Sequence, residues 1–130
     1  MAIKIKTRGL HHVTLRSRDL DRSKLFYSEK LGFPIIMELP ILIIFRVGTS
    51  VLVVRGNEPG TPEGDKFNPL RVGLDHVALA CDDEAELERV AAALSAEGIE
   101  STGVKMDGTL GKRYVAFKDP DRIAWEFFMV

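Results

Sequence analysis

Residues 73–79 read GLDHVAL and residues 9–15 read GLHHVTL, so one pattern occurs twice at a constant offset of 64. Both copies alternate in apolar character, which predicts a β-strand in each. Both also place a histidine at the same position, His12 and His76, in a chain that has three histidines in all. The sequence is therefore interpreted as one module used twice, with a histidine at a matched position in each copy.

Strand geometry predicts which side chains lie together in the first copy. A strand presents alternate residues on one face. We therefore expect His12, Thr14 and Arg16 to share a face, and His11 to point the other way.

The remaining elements follow the same order in both halves. Asp19 has the short oxygen-bearing side chain of a helix N-cap, and Gly32 is placed to end that helix. A second helix is expected to start near Asp82 or Asp83 and to close before Gly98. The predicted strands of the first half are 9–16, 33–39, 41–47 and 51–54. Those of the second half are 73–80, 99–106, 112–118 and 123–129.

The element order predicts an α+β fold made of two tandem β-α-β-β-β modules. Module one covers about residues 9–56 and module two about residues 71–130, joined by a linker of about 57–70 that is rich in Pro, Gly and Asn. Neither module can bury its sheet alone, so we expect one domain over residues 1–130 with a curved, cup-shaped mixed sheet.

Composition limits the partners. Hydrophobic residues make up 45% and charged residues 28%, which is typical of a folded globular protein. A net charge of −1 provides no basic field for nucleic acid or an acidic membrane surface. The single cysteine, Cys81, allows no internal disulfide and is expected to be a small buried group at a strand end. We expect a cytoplasmic protein that acts on a small molecule.

Glu126 is out of place in the apolar segment 123–130, IAWEFFMV. A lone buried carboxylate costs several kcal/mol unless it is paired or bound to a metal. Glu126 could instead face water from an edge strand, and each histidine alone could be structural. Two imidazoles and one carboxylate lining one concavity, however, are the ligand set of a non-haem iron site.

These motifs together resemble the vicinal oxygen chelate superfamily, which includes glyoxalase I, extradiol dioxygenases and bleomycin resistance proteins. The resemblance runs from GLHHVTL through LGF (31–33) and GLDHVAL to DPDRIAWEF (119–127). It implies a divalent metal held by His12, His76 and Glu126, with Fe(II) favoured over Mn, Zn or Ni.

The sequence departs from the four-ligand members of that superfamily. Glyoxalase I carries a fourth ligand at a position that falls near Val53, where this chain has none. The resemblance therefore favours a small extradiol-type dioxygenase that chelates adjacent substrate oxygens. Ala116 occupies a position at which such enzymes place a tyrosine, so Tyr114 is the candidate acid or base. Its alternative role is a half-buried strand aromatic.

Further residues and an assembly follow from the same interpretation. Arg55 and Thr14 are candidate substrate-binding residues, although Arg55 could equally be a solvated strand end. The resemblance also implies a homodimer whose metal sites are shared between chains. Two other functions remain open, a glyoxalase-like lyase or isomerase and a metal-free binding protein of the bleomycin-resistance type.

Overall fold

The computed structural model describes residues 1–56 and 58–130, so Asn57, the first residue of the predicted linker, lies outside the described residues. The chain divides into two compact units, Met1–Thr61 and Pro62–Val130. Each unit contains one helix region and its own four-stranded mixed sheet. The predicted α+β class and the two β-α-β-β-β modules are therefore confirmed.

The first unit follows the predicted order, with shorter first and second strands and a last strand that is one residue longer at each end than predicted. Its helix region begins as an α-helix and continues as a π-helical turn. Its elements are β1 (Val13–Arg16), α1 (Leu20–Lys24 with the π-helical Leu25–Lys30), β2 (Ile35–Leu39), β3 (Leu42–Val47) and β4 (Ser50–Arg55).

The second unit repeats this order with a longer helix. Its elements are β5 (Val77–Cys81), α2 (Glu84–Ala96), β6 (Ser101–Met106), β7 (Arg113–Lys118) and β8 (Ala124–Met129). Cys81 is buried at the end of its strand, as the sequence predicts.

Strand pairing is the same in the two sheets. The first sheet has the order β1-β4-β3-β2 and the second has β5-β8-β7-β6. The first and last strands of each module pair in parallel, whereas the other neighbours are antiparallel. The last strand of each module is therefore a central strand that lies directly beside the first.

Matched residues begin the two helices. The Asp19 carboxylate accepts from the backbone N–H of Arg22 at 3.1 Å, and the Asp83 carboxylate accepts from that of Ala85 at 2.9 Å. These two caps keep the offset of 64, so the two extra residues of module two fall inside α2. Within the described part of the chain, no helix has the length and apolar character needed to cross a membrane.

The first strand of each module starts later than the sequence predicts. Gly9 and Gly73 have φ values of +114° and +138°, a backbone region that favours glycine. The chain therefore turns at each glycine and becomes regular strand only at Val13 and Val77. His12 and His76 consequently lie immediately before their strands instead of within them.

Each helix leaves one face of its sheet open. On β4, Leu52 and Val54 are buried, whereas Val51, Val53 and Arg55 are partly exposed. On β8, Trp125 is 1% exposed and stacks on Phe117, with ring centroids 6.3 Å apart, while the alternate residues are partly exposed. Functional side chains can therefore collect on the open faces without disturbing either core.

Trp125→Ala should destabilise the protein by about 3–5 kcal/mol, because it removes a fully buried indole from the core of module two. Ile36→Ala, at a side chain that is 48% exposed on β2, is the matched control and should change stability by less than about 1 kcal/mol. Urea unfolding curves measure both. Equal effects would show that Trp125 is not part of the core.

Candidate functional site

Strand register places Glu126 of module two and Val53 of module one at equivalent positions. Glu126 pairs with Ala78 on β5, and Val53 pairs with Thr14 on β1. Ala78 and Thr14 are themselves matched at the offset of 64. β8 is a central strand, so the edge position considered for Glu126 is wrong; on the open face of β8 its side chain is 21% exposed.

Module two brings two of the predicted ligands together. The Nε2 atom of His76 lies 3.4 Å from Oε2 of Glu126. This separation is longer than an ordinary N–H···O hydrogen bond. Two donor atoms that bind one ion at about 2.1 Å are themselves roughly 3.0–3.4 Å apart, so the pair has the spacing of two ligands on one metal.

Asp75 fixes which nitrogen of His76 is available. The Asp75 carboxylate lies 2.7 Å from Nδ1 of His76. An ionised carboxylate only accepts hydrogen bonds, so Nδ1 must carry the proton. The lone pair of the neutral ring is then on Nε2, the atom that faces Glu126. Histidines that bind a metal through one ring nitrogen usually donate the N–H of the other to a carboxylate, as His76 does to Asp75.

In module one, the prediction that His11 points away from His12 is wrong. Both residues precede β1, so strand alternation does not apply to them. Their Nδ1 atoms lie 2.8 Å apart, and one must donate to the other. When the Nδ1 atom of His12 is the donor, its Nε2 is free to bind a metal. His11 therefore holds the position relative to His12 that Asp75 holds relative to His76.

The three predicted ligands lie in different units. His76 and Glu126 belong to module two, and His12 belongs to module one. Among residues 1–56 and 58–130, no group of three or more His, Cys, Asp or Glu side chains is already close enough to hold a metal ion. The donor chemistry of the three residues nevertheless fits Fe(II), Zn or a similar divalent ion.

Small residues leave space beside the module two ligands. Ala78 and Ala116 flank Glu126 on the two neighbouring strands. A concavity of about 300 Å³ lies over this part of the sheet. The ring of Tyr114 stacks on Phe128, with centroids 5.7 Å apart and planes at 15°. Since Tyr114 and Phe128 are strand partners, both lie two residues along from the Ala116–Glu126 pair.

Module one has a concavity of similar size over its open face, also about 300 Å³. His12, Thr14 and Arg55 line it, so the predicted substrate-binding residues lie with the predicted ligand of that module. Val53 and other aliphatic side chains complete its walls. This concavity combines an apolar floor with a few polar groups, which is the usual character of a small-molecule site.

Arg55 ends β4, and its partly exposed side chain belongs to an ion-pair cluster. Its Nε and Nη2 atoms lie 2.8 and 2.6 Å from Oε1 of Glu58, and Nη1 of Arg16 lies 3.0 Å from Oε2. Hydrogen bonds from Arg55 and then from Arg16 lower the pKa of Glu58 below its usual value. Glu58 therefore stays ionised at neutral pH.

Sequence reasoning missed Asp75 and Glu58. Asp75 stands directly before His76 in the repeated stretch, and its contact is between neighbours in sequence. Glu58 is three residues after Arg55, but it lies in a segment interpreted only as linker. In both cases the sequence shows an acidic residue within three positions of a predicted site residue.

A family model described as Glyoxalase/Bleomycin resistance protein/Dioxygenase superfamily matches residues 9–127 of the chain. The chain belongs to this superfamily. Its name covers glyoxalases and dioxygenases, which are enzymes, and bleomycin resistance proteins.

Individual relatives cover nearly the whole chain. YwkD of Bacillus subtilis, an uncharacterised protein, is 28% identical over an alignment of 127 positions, and the match covers 93% of this chain and 96% of YwkD. A glyoxalase family protein from Enterococcus faecalis is 29% identical with a TM-score of 0.74, covering 93% of this chain and 97% of that one. Lactoylglutathione lyase from Agrobacterium tumefaciens is 23% identical and covers 95% and 94%; its TM-score of 0.75 shows a shared fold alone.

Asp75→Ala should change the tautomer of His76, because the ring loses the acceptor that holds the proton on Nδ1. Long-range ¹H–¹⁵N spectra of the metal-free protein at about pH 8, above the ordinary histidine pKa, report the tautomer directly. We expect Nδ1–H in the parent protein and mainly Nε2–H in the variant, together with a roughly 10–100-fold loss of metal affinity.

Asp65→Ala is the control for this prediction, because it removes the same charge from an exposed loop. It should leave the His76 tautomer and the metal affinity unchanged. If the parent His76 already carries its proton on Nε2, Asp75 has no such role.

Proposed function

We propose that this chain is a metal-dependent enzyme that binds a small substrate through two adjacent oxygens, with His12, His76 and Glu126 as metal ligands. The observation that carries the proposal is the 3.4 Å spacing of His76 Nε2 and Glu126 Oε2, combined with the tie of Nδ1 to Asp75. A plain binding protein has no need of two preorganised donor atoms facing each other, which makes a metal-free binding protein the weaker alternative.

The leading chemistry is that of a small extradiol-type dioxygenase. Three protein ligands leave open positions for two substrate oxygens and dioxygen, and bound Fe(II) would supply Lewis acidity and one-electron chemistry there. Arg55 and Thr14 line the module one concavity and would orient the substrate. Tyr114 would exchange a proton with the substrate from the open face of module two.

A glyoxalase-like lyase or isomerase is the second candidate. The similarity to the glyoxalase family protein from Enterococcus faecalis, at 29% identity over nearly the full chain, favours it. A substrate screen under air and under nitrogen separates the two, because only the dioxygenase consumes dioxygen.

The parent protein should bind about one divalent metal per chain, and His76→Ala or Glu126→Ala should lose most of it, since each removes one of three ligands. Tyr114→Phe is the matched control: it should retain the metal but lose turnover, because only a hydroxyl is removed. Elemental analysis of the purified proteins measures the stoichiometry. Full metal content in both ligand variants would contradict the assignment.

Val53→Glu should add a fourth ligand, because Val53 has in module one the register position that Glu126 has in module two. We expect tighter metal binding and a changed coordination spectrum with Co(II) as probe. Val53→Gln is a weaker donor and should give an intermediate effect. An unchanged spectrum in Val53→Glu would count against the position.

The assembly belongs to the same proposal. We propose a homodimer in which each site takes His12 from one chain and His76 and Glu126 from the other. Its support is the division of the proposed ligands between the two units, which leaves each unit with an incomplete ligand set.

Subunit mixing tests the shared site. His12→Ala and Glu126→Ala chains should each be inactive alone. After they are unfolded and refolded together, each mixed dimer should regain one intact site and bind about one metal. If every site closes within a single chain, the mixture recovers neither metal nor activity.

A further inference from the structure

Two arginines stand side by side on the open face of module one. Arg16 on β1 and Arg55 on β4 are register partners. The equivalent pair in module two is Ala80 and Phe128, so the same fold position carries no charge there. The charged pair is therefore a feature of module one and not a requirement of the fold.

Glu58 neutralises only part of this charge. Arg55 uses Nε and Nη2 on one carboxylate oxygen, and Arg16 uses Nη1 on the other. Two guanidinium groups and one carboxylate have a net charge of +1. Each guanidinium has five N–H donors, so these three contacts leave donors on both side chains for a second oxyanion. Glu58 also holds the two arginines in place before any ligand arrives.

The arginine pair lies at the far end of β1 and β4 from His12, the proposed metal ligand of module one. Thr14 and Arg16 are two residues apart within β1, and a strand rises about 3.3 Å per residue. The arginine pair is therefore roughly 7 Å beyond Thr14 along the open face. Thr14 and Val53 form the floor between the two ends.

We propose that the substrate carries an oxyanion, a carboxylate or a phosphate, that binds to Arg16 and Arg55 while its adjacent oxygens reach the metal ligands. The substrate class is thus an anionic small molecule with two neighbouring oxygens at its other end. This inference rests on the proposed function, but the arginine pair can be tested without a metal.

The first experiment titrates metal-free protein with phenylacetate or phenyl phosphate and follows the arginine Nε–Hε signals by NMR. Saturable shifts at Arg16 and Arg55 are expected with at least one anion, and none with the neutral phenylacetamide. Arg55→Gln should weaken anion binding about tenfold or more. Arg55→Lys keeps the positive charge but lacks the paired N–H donors of a guanidinium, so it should retain part of the anion affinity. It replaces Arg55→Gln as the test variant if the glutamine variant folds poorly.

Arg89→Gln is the matched control. Arg89 pairs with Glu86 at the same three-residue spacing as Arg55 with Glu58, but on α2. It should leave anion binding unchanged. The inference is overturned if neither arginine signal shifts, if phenylacetamide gives the same shifts, or if Arg89→Gln weakens binding as much as Arg55→Gln.

A second experiment separates this inference from the proposed function. Metal-loaded protein is titrated with 4-methylcatechol and with 3,4-dihydroxyphenylacetate, which differ only by the carboxylate. A tenfold preference for the acid that disappears in Arg55→Gln supports the inference. Equal binding of both would overturn the inference but leave the metal site intact, whereas binding of neither, beside saturable arginine shifts in the metal-free protein, would contradict only the proposed function.

Discussion

Parallel pairing of the first and last strands of each module is the constraint on which the candidate site depends. In module two it places Glu126 next to Ala78, two residues from His76, and this brings the imidazole Nε2 to 3.4 Å from the carboxylate. The same pairing in module one places Val53 next to Thr14. A shift of one residue in either register would turn these side chains into the core face. Burial of Trp125 on that core face holds the register of β8.

The two modules share a backbone plan but differ in the chemistry of their open faces. Module two presents the proposed ligand pair among alanines, with an aromatic stack formed by Tyr114 and Phe128. Module one presents one proposed ligand, aliphatic side chains and the two arginines around Glu58. The two modules are thus equivalent frames whose matched positions differ: Glu126, a proposed metal ligand, corresponds to Val53, and the arginine pair of module one corresponds to Ala80 and Phe128.

The repeat made much of this architecture predictable. Matched histidines, matched N-caps and a carboxylate in an apolar strand are local features that a sequence shows directly. The strand starts were less predictable, because alternation continues through Gly9 and Gly73 although positive φ breaks the strand there. The predicted orientation of His11 is wrong for the same reason, because His11 lies before the regular strand. The Arg16–Glu58 contact joins residues far apart in sequence, so only the folded chain reveals it.

Anomalous diffraction from crystals of the metal-loaded protein, collected at the absorption edge of the bound metal, would locate the ion relative to the three proposed ligands. We expect one strong peak per chain, in contact with Nε2 of His12, Nε2 of His76 and the carboxylate of Glu126. A peak at the Nδ1 side of either histidine, or a peak that contacts none of these three residues, would contradict it.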